Sequence, residues 1–322
     1  MLYRFLLLIA AAALVAPSQA QNYPNRPIRF IVPFPPGGGT DTVARLIAQP
    51  LAERLQQQIV IDNRGGANAI IGTDLGAKAP ADGYTLVFCL PASVSTNQTL
   101  YRNLPYDPAR DFAPVIQLNT IAIMLVSANA LPVKSVAELI AYARARPGQL
   151  NFASSGNGSA GHLGMELFNA TTGIRMVHVP YKGGAPALTD TISGQMHLMA
   201  GPMISALPHV KAGRVRGLAM MAPKRVQGLP EVAAIGETLP GFDASIWHGV
   251  LVPRGTPAAI VQRLNRELND VLRLPEVASR MATQGAEPVG GTPAQFDALI
   301  KSDTTKYAKL LKTIGLAGTV SQ

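Results

Sequence analysis

Residues 30–41 read FIVPFPPGGGTD, and this stretch decides the fold. Its apolar, β-branched opening predicts a buried strand. The three glycines tolerate backbone angles that other residues avoid, and Thr40 and Asp41 are both residue types that favour helix N-caps. An amphipathic pattern that starts at Val43 predicts the helix that follows. The stretch therefore predicts a strand, a glycine turn and the beginning of a helix.

A turn of this kind suits an anion. Free backbone N–H groups and the positive end of the helix dipole meet at Gly37, Gly38 and the residues that follow, which favours a carboxylate. The alternative interpretation is a tight turn that needs glycine for its shape alone. The turn is not a P-loop, because no Gly-Lys-Ser/Thr follows the glycines.

The same order of elements recurs in the next part of the chain. Residues 58–62 and 84–90 predict further strands, and the polar loops after them contain Ala67 and Ser93. Three successive strand–loop–helix units imply a parallel, doubly wound sheet. Ligands bind at the carboxyl ends of the strands in such sheets, so the three loops are expected at one site.

A second stretch of the same design lies near the middle of the chain. Residues 150–154 predict a strand, and residues 155–162 after it read SGNGSAGH, which matches Gly-x-Gly-x-x-Gly. A dinucleotide site would also need an acid at the end of the next strand, residues 175–179. That strand runs into PYKGG instead, so we expect no NAD and no other cofactor. The anion-binding interpretation does not depend on a cofactor.

The N-terminus predicts export. Arg4 precedes an apolar run at residues 5–15, and residues 18–20 read SQA, which is typical of a signal-peptide cleavage site. We predict cleavage after Ala20 and a soluble mature protein. No later run has the roughly 18 uninterrupted apolar residues of a transmembrane helix.

Composition excludes several classes of protein. The 322 residues are 48% hydrophobic and 15% charged, which is enough for the cores of two domains and argues against disorder. The formal charge of +9 becomes +8 once Arg4 is removed, but lysine and arginine are scattered singly, so we expect no nucleic-acid partner. Cys89 is expected to be a buried thiol. The five histidines show no metal-ligand spacing, and we predict no metal site.

Five motifs in one order resemble the Bug proteins, the periplasmic solute-binding subunits of tripartite tricarboxylate transporters. The motifs are residues 31–41, 81–86, 104–108, 178–183 and 247–249. The resemblance implies an α/β, two-domain periplasmic binding protein of the type II, Venus-flytrap class, each domain a mainly parallel sheet flanked by helices. It also implies a periplasmic location, a carboxylate ligand (a di- or tricarboxylate or an aromatic acid) held partly through ordered waters in the interdomain cleft, and integral-membrane permease subunits as partners.

On this basis we divide the chain into a signal peptide at residues 1–20, a first domain at residues 21–122 plus 249–322, and a second domain at residues 123–248. A monomer is expected.

The resemblance also implies the binding residues. The loop at residues 37–41 matches the family loop that holds one ligand carboxylate, and residues 154–159 with His162 match the facing loop of the second domain. Gly201 stands where the family commonly has an aspartate, which speaks against an amino acid ligand. The predicted ligand-binding set is Gly37, Gly38, Thr40, Asp41, Ala67, Ser93, Ser154, Ser155, Gly156, Gly158, Ser159, His162, Tyr181 and Gly201.

Two alternatives stay open. One is a ligand sensor module for a two-component system, which the sequence does not distinguish from a transport receptor. The other is a serine hydrolase that uses Ser154, Ser155 or Ser159 with His162. No Gly-x-Ser-x-Gly elbow and no acid placed to orient the histidine support it, so we expect no enzyme.

Overall fold

The computed structural model describes residues 23–319 apart from residues 38, 182, 227–228 and 284. The predicted signal peptide, its cleavage site and Gly38 therefore lie outside the described residues. Within those residues no helix combines the length and the apolar character needed to cross a bilayer. The described chain forms two sheets, each with helices on both faces.

The first sheet has six strands in the order β11-β4-β10-β3-β1-β2. Strand β1 pairs in parallel with β2 and β3, whereas β10 runs antiparallel to β3 and β4, and β11 antiparallel to β4. The strands are β1 (Ile28–Val32), β2 (Ile59–Asn63), β3 (Thr85–Cys89), β4 (Phe112–Ile121), β10 (Ile246–Pro253) and β11 (Ala286–Gly290).

The helices of this domain cover both faces of its sheet because β1, β3 and β10 are apolar on both sides. One face packs against α1 (Gly39–Leu55), α10 (Ala258–Leu272) and α11 (Pro275–Ala282). The other face packs against α2 (Ile70–Ala77), a π-helical turn (Ala92–Thr96) that continues into α3 (Asn97–Leu100), and α12 (Pro293–Thr313). The short α4 (Pro108–Asp111) precedes β4.

The second sheet has five strands in the order β7-β6-β8-β5-β9. Strand β6 pairs in parallel with β7 and β8, and β5 runs antiparallel to β8 and β9. The strands are β5 (Ile123–Ser127), β6 (Asn151–Ser154), β7 (Val177–Pro180), β8 (Leu198–Pro202) and β9 (Arg216–Met220). The helices are α5 (Val136–Arg144), α6 (Ala160–Thr172), α7 (Gly184–Ser193), α8 (Met203–Lys211) and α9 (Ile235–Thr238).

The chain passes between the two sheets at two places. Strand β4 ends at Ile121 in the first sheet, and β5 begins two residues later in the second. Strand β10 returns the chain and lies in the first sheet along its whole length, Ile246–Pro253, so three residues assigned by sequence to the second domain belong to a strand of the first sheet. Ile246 packs against the cores of both domains.

The two-domain α/β architecture is confirmed, with three corrections of detail. Both sheets are mixed, not mainly parallel. Strand β11 was not predicted, because the alternation in AEPVG is short and contains proline. The polar stretch after β3, predicted as a loop, is the π-helical turn that contains Ser93, and all five of its side chains are buried. π-Helical turns frequently occur at functional sites.

Candidate functional site

A cavity of about 270 Å³ lies between the two domains. The carboxyl ends of β1 and β3 reach it from the first domain, and the loop after β6 reaches it from the second, as expected for ligand sites in α/β sheets. Its lining residues within the described chain are Phe34, Asn68, Leu90, Pro91, Ala92, Thr96, Ser155, Gly156, Asn157, Gly158, Ser159, Ala160, Leu163, Ile246 and Tyr307. None of these side chains carries a charge.

The second-domain wall is the binding loop, residues 155–159, between β6 and α6. Ser159 is the N-cap of α6, and its hydroxyl accepts a hydrogen bond from the His162 N–H. Gly158 has a φ of 74°, in the left-handed region that favours glycine. A Cβ atom at Gly158 would lie 2.6 Å from Leu100 Cδ2 in the first domain, so the two domains approach closely at this glycine.

Several backbone N–H groups of the binding loop and of the first residue of α6 have no hydrogen-bond acceptor in the described chain. The Gly156 N–H donates to Ser154 Oγ, and the Gly158 N–H donates to His162 Nδ1. The N–H groups of Ser155, Asn157 and Ala160 donate to no acceptor in the described chain. Unclaimed amides at the N-terminus of a 13-residue helix are suited to an anion.

Two stacked histidines support the binding loop from behind. The rings of His162 and His178 lie 3.8 Å apart between centroids, and their planes differ by 17°. His178 Nε2 lies 2.7 Å from Ser154 Oγ, and the His178 ring also stacks on Phe152, with the ring centroids 5.0 Å apart. Because His162 Nδ1 accepts the Gly158 N–H, the proton of this neutral ring is on Nε2, which lies 4.0 Å from Glu166.

Burial keeps both imidazoles neutral. Burial, and to a lesser extent the neighbouring His178, lowers the pKa of His162 to about 3. Burial lowers the pKa of His178 to about 4. It raises the pKa of Glu166, which a hydrogen bond with Asn169 partly opposes. A histidine whose pKa is lowered by burial in the folded protein, as for His162 and His178, is protonated more readily in the unfolded chain.

The protein is therefore expected to lose stability as the pH falls below the ordinary histidine pKa of about 6.5 towards the folded value. The contribution of His162 is fully present above pH 6.5 and decreases by roughly 2 kcal/mol by pH 5, at about 1.4 kcal/mol per pKa unit. Urea unfolding at pH 7.5 and pH 5.0 measures this change. In His162→Gln, whose side chain does not titrate but retains an acceptor for the Gly158 N–H, the decrease is expected to be smaller by that amount. An equal decrease in both proteins contradicts the prediction.

The first-domain wall is polar at two points. Ala67, Asn68 and Ala69 have positive φ angles of 46°, 50° and 74°, a strained run for residues other than glycine. The run is held in place by Asn97, whose Nδ2 donates to the Asn68 carbonyl and whose Oδ1 accepts from Asn68 Nδ2. Beside it, Thr96 is 1% exposed, and its buried hydroxyl has no hydrogen-bond partner among the described residues.

Asp41 is a buried charged residue near the start of α1. The helix begins at Gly39, so Thr40 and Asp41 lie within its first turn and are not its N-cap. The buried Asp41 carboxylate accepts hydrogen bonds from Gly37 N–H, Arg45 Nε and Asn63 Nδ2, each 2.9 Å long. Burial alone would raise the pKa of Asp41, but these three donors lower it below the ordinary value.

The predicted binding residues thus separate into groups. Four of them line the cavity: Ser155, Gly156, Gly158 and Ser159. Ser154 and His162 lie directly behind the binding loop and accept hydrogen bonds from its Gly156 and Gly158 amides. Gly38 lies outside the described residues. The remaining seven do not line the cavity in the described chain: Gly37, Thr40, Asp41, Ala67, Ser93, Tyr181 and Gly201.

The structure gives several of those seven another role. Asp41 occupies the start of α1, Ser93 is completely buried, and the Tyr181 hydroxyl donates to Asp190, a bond that raises the pKa of Tyr181 to about 12. Gly201 pairs with Met124 inside the second sheet.

The sequence did not indicate Phe34, Asn68, Thr96 or Tyr307 as lining residues. Phe34 lies in the predicted turn, and its place beside the glycines was the available signal. Tyr307 comes from α12, far along the chain, and no local pattern places that helix at the cavity. Among the described residues, no group of three or more histidine, cysteine, aspartate or glutamate side chains is arranged to hold a metal ion.

Comparisons with known proteins agree on one family. Residues 43–316 match the model of the tripartite tricarboxylate transporter family receptor. Protein BugT of Bordetella pertussis is 39% identical over 311 residues, covering 96% of this chain and 95% of that protein.

Solved structures show the same fold with ligands. Rpa4515 of R. palustris, solved with adipate, is 41% identical with a TM-score of 0.81, over 92% of this chain and 99% of that one. MatC of Rhodopseudomonas palustris, solved with bound malate, is 31% identical with a TM-score of 0.76, over 90% of this chain and 100% of that one.

Proposed function

Because this chain belongs to the tripartite tricarboxylate transporter receptor family, whose members are periplasmic solute-binding proteins, we propose that it captures a small carboxylate between its two domains and delivers it to a membrane permease. The observation that carries the proposal is the binding loop and the first residue of α6: the N–H groups of Ser155, Asn157 and Ala160 have no acceptor in the described chain, and all three residues line a cavity between the two domains. Hydrogen bonds from amides to an ionised carboxylate are of the strong, charge-assisted kind.

Two further points support a carboxylate. Rpa4515 and MatC, similar to this chain over nine-tenths of its length, were solved with adipate and malate. The cavity is formed by both domains, so a hinge at the two interdomain crossings would enclose the ligand and exclude water from its hydrogen bonds. Export and cleavage after Ala20 belong to the same proposal.

The geometry of the serine and histidine side chains disfavours the hydrolase alternative. Ser159 Oγ caps α6 by accepting the His162 N–H, and the His162 ring accepts the Gly158 N–H and stacks on His178. Ser154 Oγ does lie within hydrogen-bond distance of a histidine, His178, but Ser154 is completely buried. These serines and histidines shape the binding loop. If the protein hydrolyses an ester substrate and His178→Ala abolishes that hydrolysis, the hydrolase alternative would be supported.

Isothermal titration calorimetry of the mature protein with succinate, malate, adipate, benzoate and citrate tests the proposed function. At least one acid is expected to bind with measurable heat and to raise the melting temperature. If every acid gives neither heat nor a melting shift, the proposed function is wrong.

Ser154→Ala is expected to weaken binding of whichever acid binds. The change leaves the Gly156 N–H and His178 Nε2 without their shared partner, which loosens the binding loop. We expect an affinity loss of about tenfold and a stability loss of about 1 to 2 kcal/mol, measured by calorimetry and urea unfolding.

Ser193→Ala is the matched control. Its hydroxyl donates to the Asp190 carbonyl at the exposed end of α7, away from the cavity. It is expected to leave affinity unchanged. Equal ligand affinities in Ser154→Ala and Ser193→Ala would show that Ser154 does not contribute to ligand binding.

A further inference from the structure

We propose that the first domain contains a second ligand site, separate from the interdomain cavity, which binds an anion with an apolar body such as a medium-chain carboxylate. The inference does not rest on the proposed function, because the two cavities have no lining residue in common.

The second cavity has a volume of about 490 Å³, compared with about 270 Å³ for the interdomain cavity. Small-molecule sites commonly have volumes of roughly 300 to 1,000 Å³. Two elements line both cavities. The π-helical turn contributes Thr96 to the interdomain cavity and Val94 to the second, and α12 contributes Tyr307 to the first and Thr304 to the second. The residues that line the second cavity all belong to the first domain: Val94, Gln98, Pro108, Ala109, Phe112, Pro114, Leu251, Arg254, Asp297, Ile300, Lys301, Thr304 and Thr305.

The floor of the second cavity, which we define as its buried apolar lining residues Val94, Pro108, Phe112 and Leu251, comes from four different elements. Val94 lies in the π-helical turn, Pro108 begins α4, Phe112 begins β4, and Leu251 lies in β10. Val94, Phe112 and Leu251 are each no more than 2% exposed. A hydrocarbon chain on this floor would gain free energy by leaving water. The floor therefore suits the apolar part of a ligand.

Three charged side chains line the second cavity, and one of them has no ionic partner. Asp297 and Lys301 pair with each other on α12, with 2.5 Å between Oδ2 and Nζ, so their charges offset one another. Arg254 forms no ion pair with any residue that the structure describes, and its side chain donates one hydrogen bond, 3.4 Å long, to the Phe112 carbonyl. That bond places the guanidinium beside the floor. Because a guanidinium has five N–H donors in a fork that matches a carboxylate, most of its capacity is open to an anionic ligand.

The combination of floor and charge selects the class of ligand. One guanidinium without an ionic partner suits one anionic group, and the apolar floor suits a hydrocarbon body. Asp297 would repel a second carboxylate on the same ligand. The interdomain cavity differs, because no charged side chain lines it within the described chain.

An NMR titration of methyl-labelled mature protein with octanoate tests the second site. Val94 and Leu251 report on the second cavity, and Leu163 reports on the interdomain cavity. We expect octanoate to shift the Val94 and Leu251 methyl resonances in a saturable way. Octanamide, which has the same chain without the charge, is expected to bind there at least tenfold more weakly. Saturable shifts confined to Leu163, or no saturable shift, overturn the proposal.

Arg254→Gln tests the charge. The variant is expected to weaken octanoate binding at Val94 and Leu251 at least tenfold and to leave octanamide binding unchanged. Arg144→Gln is the matched control, since Arg144 is also exposed, donates one hydrogen bond to a backbone carbonyl, that of Thr172, and lines neither cavity. Equal octanoate affinities in the two variants overturn the anionic ligand class.

Ala109→Trp tests the cavity itself. Ala109 is exposed and lines the second cavity from α4, so an indole ring at this position would fill the space. The octanoate-induced shifts at Val94 and Leu251 are expected to disappear, while an acid that binds between the domains keeps its wild-type affinity. Octanoate binding at wild-type affinity in Ala109→Trp overturns the second site and leaves the proposed function standing.

Discussion

Replacing Gly161 with alanine is expected to destabilise the protein by about 3 kcal/mol or more, because the added methyl group would overlap rigid backbone that cannot move aside without disrupting the packing. A Cβ atom at Gly161 would lie 2.0 Å from the carbonyl oxygen and 2.9 Å from the carbonyl carbon of Ala200. Both partners are fixed, since Gly161 lies in the first turn of α6 and Ala200 lies in β8, in the middle of the second sheet. Helix α6 would have to move away from the sheet and carry the binding loop with it. Urea unfolding measures the loss.

Gly184→Ala is the matched control for this change. Gly184 also begins a helix of the second domain, α7, but a Cβ atom there would meet only Met199 Cε, at 3.8 Å, which is ordinary contact. Alanine favours helix by roughly 0.5 to 1 kcal/mol over glycine, so the control is expected to equal or exceed wild-type stability. If the free energy of unfolding of Gly161→Ala is within 1 kcal/mol of the wild-type value, α6 does not approach β8 as closely as described.

Gly158→Ala is expected to lower ligand affinity by tenfold to a hundredfold, roughly 1.4 to 2.8 kcal/mol at 1.4 kcal/mol per tenfold. Its Cβ atom would lie 2.6 Å from Leu100 Cδ2, and Leu100 is packed in a cluster with Leu163 and Tyr307 that joins the two domains. The added methyl group would separate the binding loop from the first-domain wall of the cavity. Calorimetry with an acid that binds wild type measures the effect.

Gly173→Ala separates that effect from backbone strain. Gly173 is the C-cap of α6 with a φ of 68°, close to the 74° of Gly158, and a Cβ atom there would have no neighbour within 4 Å. Each alanine is expected to cost about 1 to 2 kcal/mol of stability, because a left-handed conformation disfavours a side chain. Only Gly158→Ala is expected to weaken binding. Equal affinities in the two variants would show that the domains do not meet at Gly158.

Local sequence signals predicted the elements that depend on neighbours along the chain. The apolar run before the glycines is β1, and the stretch after β6 leads into α6 with Ser159 as its cap. Thr292 and Gln295 form the reciprocal capping box that their spacing indicates. A cap joins residues three apart, so the sequence alone specifies it.

Local signals were less informative about groups that have competing partners. Thr40 and Asp41 are good N-cap residues, yet α1 already starts at Gly39, because the Asp41 carboxylate reaches back to the Gly37 N–H while it also binds Arg45 and Asn63. Asn63 belongs to β2, and only the pairing of β1 with β2 brings it there. Residue types alone therefore did not reveal which donors hold the Asp41 carboxylate.

By itself the sequence determined the α/β class, the two glycine-rich loops and the family, since hydrophobic periodicity, glycine tolerance and capping are properties of short segments. The tertiary structure decided which groups surround the cavity. Strands β10 and β11 insert into the first sheet from the end of the chain, α12 brings Tyr307 to the site, and the π-helical turn presents Thr96. Those contacts join residues far apart along the chain, and packing free energy, which no short segment contains, selects them.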